Sequence, residues 1–273
     1  MEGKIVKIIS NLYTVEVNGK RYECRARGKF YHEKQTPLVG DYVKVDLMNN
    51  YILALLPRKN ILDRPNIANV DSAIIITSVR KPDLDLILLD KLLSLVVHNK
   101  IEPIICFTKL DLLSFKEKLA VKKIMKYYHK VGFKVVDNTK LRKLTKLIAG
   151  KIVVLTGQTG SGKSTLLNKL DPSLDLATNE ISEALGRGKH TTRHVELFKY
   201  WLSYIADTPG FSALELNTLK PSEIRDTFPE FKVKCEYQDC MHHKEEHCEV
   251  KELVQKGKIL KSRYQNYLKF GGM

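Results

Sequence analysis

Residues 157–164 limit the fold more than any other stretch of this chain. They read Gly-Gln-Thr-Gly-Ser-Gly-Lys-Ser and match G-x-x-x-x-G-K-[ST]. An apolar run, residues 151–156 (KIVVLT), precedes them, and a helical pattern, STLLNKL, begins at Ser164. A strand that ends in a Gly-rich turn and feeds a helix aims backbone N–H groups and a helix N-terminus at one point, which suits a phosphate. Gly157, Gly160 and Gly162 supply the turn. Lys163 reaches the β- and γ-phosphates, and Ser164 is the candidate Mg²⁺ ligand.

Two further motifs give this loop its context. Asp207-Thr-Pro-Gly210 follows the apolar run WLSYIA. An Asp at a strand's carboxyl end suits Mg²⁺, and the Gly210 N–H suits a γ-phosphate. Between the two motifs lies the basic, Gly-rich stretch 186–194 (GRGKHTTRH), fitted to a switch that orders around γ-phosphate and Mg²⁺. Thr192 is the first choice for a second Mg²⁺ ligand, with Thr191 next. Thr108-Lys109-Leu110-Asp111 follows the strand-like run IEPIICF and matches [NT]-K-x-D. The Asp111 carboxylate can accept from guanine N1–H and the exocyclic amine, a donor pair that adenine lacks, so the expected ligand is GTP rather than ATP. In the usual GTPase order the phosphate loop comes first. Here Asp111 precedes Gly157, which implies a circular permutation, tolerated where termini lie close together.

Residues 3–57 read as five short strands (KIVKIIS, LYTVEVN, RYECRAR, DYVKVDL, YILALL) with turn signals such as Asn18-Gly19. They suit a small barrel, of the OB type or another, and such barrels bind RNA. Residues 57–69 read as a linker. Residues 72–79 (SAIIITSV), 101–107, 134–136, 151–156 and 200–206 read as strands, and 85–98 and 114–130 as helices. That alternation predicts a mostly parallel α/β sheet. A periodic helix is expected over 251–270. The boundaries follow: an RNA-binding barrel over 1–64, a permuted GTPase domain over 65–218 and a zinc-binding helical module over 219–273.

Cys235-x4-Cys240-x-His242-x5-Cys248 offers three thiolates and an imidazole, enough to close a tetrahedral shell around one structural zinc. His243 and His247 are substitutes, although spacing favours His242. Net charge is +15, with 46 Lys+Arg against 31 Asp+Glu, which points to polyanionic partners. Residues 116–151 alone hold twelve Lys/Arg and two acids, as an RNA contact or as a solvated face. No apolar run approaches the ~20 residues that span a bilayer. No signal-peptide pattern opens the chain, so no membrane and a cytoplasmic location are the expectations; with no clear oligomer signal, a monomer is the default expectation.

With these residues in place, the chain resembles the RsgA family, ribosome small-subunit-dependent GTPases with permuted motifs. The resemblance spans nearly the whole chain. It implies a late-acting factor in 30S subunit maturation, in contact with 16S rRNA, that hydrolyses GTP to GDP under stimulation by the subunit. Carried over by motif, the nucleotide residues are Thr108, Lys109 and Asp111; Gly157, Gln158, Thr159, Gly160, Ser161, Gly162, Lys163, Ser164 and Thr165; and Asp207 and Gly210. It also supports Cys235, Cys240, His242 and Cys248 as the zinc ligands. Where the family's last base-contacting motif contains a Ser-Ala pair, this chain reads Val136-Asp-Asn-Thr139, and Asn138 offers its amide. Many GTPases place a water-orienting Gln just after the D-x-x-G glycine. Here that position is Phe211, so the missing group comes from His190 in the switch stretch, or is supplied in trans by ribosomal RNA or conformational ordering.

Overall fold

Alternation decides which side of each early strand faces inward. In the computed structural model, β1 (Glu2–Ile9), β2 (Leu12–Val17) and β3 (Lys20–Ala26) bury Ile5, Val6, Tyr13, Val15, Val17 and Cys24. Their charged residues alternate outward with period two. Ile5 and Val6 are neighbours, yet both are fully buried. The strand accommodates them with a bulge between Ile5 and Lys7 that resets the register against β2. Asn18 and Gly19 both take positive φ in the β2–β3 turn, as a tight hairpin requires. β4 (Tyr42–Asp46) and β5 (Tyr51–Leu55) complete a closed barrel in the order β1-β2-β3-β5-β4. β1 pairs antiparallel with β4, and β3 runs parallel to β5. This is the OB arrangement, one of the two kinds of barrel left open by the pattern of strands.

The structure describes residues 1–28, 30, 36–63, 66–172, 196–206 and 216–271. The stretch read as a linker is in part a hairpin, with β6 (Ile61–Asp63) antiparallel to β7 (Asn66–Ala68). Three-residue strands are too short to show a period in sequence. A sheet of six strands follows: β8 (Ser72–Ser78), β9 (Glu102–Thr108), β10 (Lys134–Asp137), β11 (Ile152–Gly157), β12 (Leu197–Tyr200) and β13 (Ser203–Ala206). Its order is β10-β9-β8-β11-β13-β12. β10 and β9 run parallel, as do β11 and β13, while β12 is an antiparallel edge. Every residue of β8 and β11 is buried, as expected of strands covered on both faces.

Among the described residues the helices are α1 (Leu86–His98), α2 (Phe115–Lys130), α3 (Leu141–Ile148), α4 (Lys163–Leu170), α5 (Pro221–Asp226), α6 (Glu249–Gln255) and α7 (Lys261–Phe270). Two expectations are corrected here. Residues 200–206 do not form one strand: Trp201 and Leu202 make an exposed turn, Trp201 with φ 49°, between β12 and β13. An apolar turn is invisible to a reading based on hydrophobicity. Nor do residues 251–270 form one helix. Gly257, at φ 66°, ends α6, with Gly257 N–H donating to the Val254 carbonyl and Lys258 N–H to that of Leu253. That pair of bonds is the glycine-terminated helix stop.

The chain divides into two compact units, one of Met1–Ala73, Leu141–Thr156 and Lys163–Phe211, the other of Ile74–Lys140, Gly157–Gly162 and Ser212–Met273. β8 and β11 each begin in the first and end in the second. Inside the first, Asp71 N–H donates to the Ile152 carbonyl while Ile152 N–H donates to the Asp71 carboxylate, both at 2.9 Å, so the starts of β8 and β11 are pinned together. Inside the second, the C-terminal segment shares one core with α1, built on Leu95, Ile224, Phe228, Phe231, Val250, Ile259 and Tyr267. Arg263 lies within that unit at 1% exposure. It donates to Asp90 of α1 (2.8 Å) and to both Glu230 oxygens (2.7 and 3.0 Å). Tyr128 and Asn266 also donate to Asp90, at 2.6 Å each. Buried charges persist only when partnered this completely.

Candidate functional site

Gly157 carries β11 past β8. Its φ is 140°, and a Cβ there would lie 2.1 Å from the Ile76 carbonyl oxygen, so no side chain fits. Gly160 and Gly162 turn the following loop in the left-handed region, at φ 74° and 95°. Gln158 is half-buried, Thr159 is exposed, and Ser161 is fully buried with its Oγ unpartnered among the described residues. α4 opens at Lys163, with Ser164 buried and Thr165 exposed.

The T-K-x-D corner meets this loop from 51 to 53 residues earlier in the chain. Thr108, at the end of β9, donates its hydroxyl to the Ser161 carbonyl at 2.6 Å. Lys109 takes φ 61° and its ammonium donates to the Gly160 carbonyl at 2.7 Å and to the Lys81 carbonyl. These two side chains therefore brace the phosphate loop from behind, a role that motif matching does not reveal. Lys81 is the partner missed in sequence; its only signal is the turn-forming Lys-Pro-Asp that contains it. Asp111 sits on the short 3-10 turn Leu110–Leu112. It is exposed and makes no hydrogen bond or ion pair with the described residues.

Asn138 follows β10, and its N–H donates to the Phe107 carbonyl at 3.0 Å, which sets it beside the end of β9. Its neighbour Asp137 is committed locally. Burial works against that carboxylate, but the Thr139 hydroxyl and amide and the Lys140 ammonium hold it below the usual range. The Asn138 amide has no such commitment among the described residues. The switch and magnesium candidates His190, Thr191, Thr192, Asp207 and Gly210, and Phe211, lie outside the described residues.

The second cluster, also in the second unit, is Cys235, Cys240, His242 and Cys248. Their ligand atoms all lie within 4.8 Å of one another. A tetrahedral zinc with bonds of about 2.3 Å to sulfur and about 2.0 Å to nitrogen needs edges of roughly 3.8 Å (S···S) and roughly 3.6 Å (S···N). The Cys240–Cys248 sulfurs are 3.8 Å apart, and His242 Nδ1 is 3.6 Å from Cys235 Sγ and 3.4 Å from Cys248 Sγ. The donor set fits that ion. Burial, with Arg225 nearby, lowers the His242 pKa and keeps the imidazole in its neutral, ligating form. Burial pushes the Cys240 thiol up to about 12 and raises Cys248 as well, a cost that a bound cation reverses. An outer layer fixes the ligand loop. Glu245 accepts from the Met241 and His243 N–H groups (2.7 and 2.8 Å), Tyr264 donates to the His242 carbonyl (2.7 Å), and Phe231 packs edge-on against the His242 ring. His243 and His247 are not in the cluster.

A mostly parallel sheet with wholly buried central strands, and a phosphate loop braced by a T-K-x-D corner from earlier in the chain, define a permuted P-loop nucleotide-binding protein. The family model of the RsgA GTPase matches residues 55–217, and that of the RsgA N-terminal domain matches residues 2–52. The chain belongs to the RsgA family of GTPases. It is 44% identical to the small ribosomal subunit biogenesis GTPase RsgA of Enterococcus faecalis over 99% of this chain and 94% of that protein. It is likewise 44% identical to the corresponding RsgA 2 of Oceanobacillus iheyensis, covering 98% and 96%. Among solved structures it is similar to YloQ, a circularly permuted GTPase, with TM-score 0.84 and 35% identity over 99% of this chain and 93% of that one. YjeQ from Thermotoga maritima gives TM-score 0.85 and 34% identity, covering 98% and 96%.

Proposed function

We propose that this chain binds Mg²⁺·GTP and hydrolyses it to GDP and phosphate while acting on the small ribosomal subunit late in its maturation, with the subunit stimulating turnover. The reading rests on membership of the RsgA family and on one observation above all: Thr108 and Lys109 hold the carbonyls of Ser161 and Gly160. That brace brings a guanine-reading corner to a phosphate loop in spite of the reversed motif order. Asp111 accepts from the guanine N1–H and amine, with Asn138 beside it. Gly157, Gln158, Thr159, Gly160, Ser161, Gly162 and Thr165 surround the phosphates, and Lys163 neutralises charge that develops on them. Ser164, Thr191 or Thr192, and Asp207 are the residues to hold Mg²⁺, which supplies further charge neutralisation when bound. Phe211 cannot orient water, so His190 or ribosomal RNA does so.

Cys235, Cys240, His242 and Cys248 hold one structural zinc, with no open position for catalysis. The working segments are the barrel over 1–64, contacting 16S rRNA, the GTPase domain over 65–218, and the zinc module over 219–273, in a cytoplasmic monomer. No helix among the described residues is long and apolar enough to cross a membrane. The test is phosphate release from GTP with and without purified 30S subunits. Stimulation by 30S and not by 50S particles is expected, and equal rates in all three conditions contradict the reading. His190→Ala with normal subunit binding and unimpaired turnover assigns water activation to the RNA.

A further inference from the structure

α2 presents a face that the nucleotide and metal sites do not use. It carries six lysines, Lys116, Lys118, Lys122, Lys123, Lys126 and Lys130, and all but Lys118 are exposed. None forms an ion pair with the described residues. The helix has one acid, Glu117, and it is committed: the Ser114 cap and Arg80 both hold it. Val121 and Tyr128 anchor the opposite face.

Lys122, Lys126 and Lys130 repeat every four residues, a rise of about 6 Å per step along one stripe, comparable to the separation of successive phosphates on a nucleic-acid strand. The same stripe continues toward the helix start as Leu119 and Phe115. Phe115 is 76% exposed, Leu119 46%, and Leu112, just before the cap, 49%. Like charges crowded on one helix face repel one another, and a bare phenylalanine is unfavourable in water. One class of partner relieves both at once, a strand with anionic phosphates and stacking bases.

We propose that this face of α2 is an RNA-docking surface, with Lys122, Lys123, Lys126 and Lys130 on phosphates and a base stacked on Phe115. An acidic protein would satisfy the lysines but leaves the phenylalanine without a specific role. The inference deepens the small-subunit reading and rests on it for the natural partner.

The experiment compares the full-length protein with K122Q/K123Q/K126Q and with Phe115→Ser. Binding is measured to 30S subunits and to protein-free 16S rRNA across a salt series. Removing three phosphate contacts should lower the slope of log affinity against log salt by about 2 to 3 on both probes. Affinity should fall at least tenfold near 0.1 M salt, while GTP affinity and unstimulated hydrolysis stay at the level of the unmodified chain. Phe115→Ser should weaken binding several-fold with the slope unchanged, because stacking releases no counterions. An unchanged slope on protein-free rRNA overturns the proposal. If affinity for 30S falls while that for rRNA does not, the face meets a ribosomal protein and the proposal is again wrong. Should the unmodified chain bind rRNA but not 30S subunits, the small-subunit reading fails, and the slopes on rRNA still decide the role of α2.

Discussion

The T-K-x-D corner and the Cys/His cluster belong to the same compact unit and treat their polar side chains in opposite ways. Asp111 is exposed and unpartnered among the described residues, whereas Cys240, His242 and Cys248 are at most 4% exposed. The nucleotide corner keeps its shape through contacts to its own backbone, from Thr108 and Lys109 to loop carbonyls. Its shape is set without a ligand, which is what preorganisation requires. The cluster buries the Cys240 and Cys248 thiols, and that burial raises the cost of ionising both. A bound cation would reverse that cost. The first arrangement suits a ligand that comes and goes, and the second suits one that stays.

The sharpest break of this contrast is Cys248→Ser. If the cluster depends on its ion, the variant should lose about one zinc per chain, by atomic emission. Structural zinc is worth on the order of 10 kcal/mol to a small module, so hydrogen-exchange protection should vanish over residues 229–271. Protection in the barrel, residues 2–55, should survive, and retained C-terminal protection contradicts the dependence. Next in size is Arg263→Met. It leaves Asp90 and Glu230 buried without their shared cation, and losing one partner from such a cluster costs about 3–5 kcal/mol, read by urea unfolding.

A smaller effect is expected on the nucleotide side. Thr108→Val strands the Ser161 carbonyl, a loss of about 1–2 kcal/mol, and GTP affinity should fall about tenfold with the fold intact. If affinity is unchanged, the brace is not what shapes the loop. Smallest is Glu117→Gln at the start of α2. Bonds from the Ser114 hydroxyl and amide and from Arg80 hold the Glu117 carboxyl down at about 2. A depressed carboxyl contributes stability above its ordinary value of about 4.3 and loses it as pH falls through about 2. The melting temperature of the Gln variant should therefore lie slightly below that of the unmodified chain at pH 5–8. The gap should close between about pH 4 and 2.

What sequence revealed depended on how locally each feature is encoded. The phosphate loop, the T-K-x-D corner and the Cys/His cluster are short motifs whose chemistry demands fixed residue types, and the sequence alone picks out the residues of each. The barrel strands were legible because alternation persists over five or more residues. The β12–β13 hairpin was not, because its turn is made of Trp201 and Leu202 rather than of turn-forming residues. Gly257 interrupts a helical period that continues on both sides of it, so two helices looked like one. The Arg263 cluster gathers residues 90, 128, 230, 263 and 266, and no spacing rule connects them. Thr108 and Lys109 were legible as motif members but not as the loop's brace, since that depends on carbonyls 53 and 51 residues away.

The most direct test of the account is calorimetry of the full-length chain with GTP, ATP and ITP, the last lacking guanine's exocyclic amine, repeated with Asp111→Ala. A carboxylate that takes both guanine donors should give GTP the tightest binding, ITP weaker binding by about 1–3 kcal/mol, and ATP weaker still, with the three nearly level in the variant. Equal affinity for GTP and ATP in the unmodified chain would contradict it.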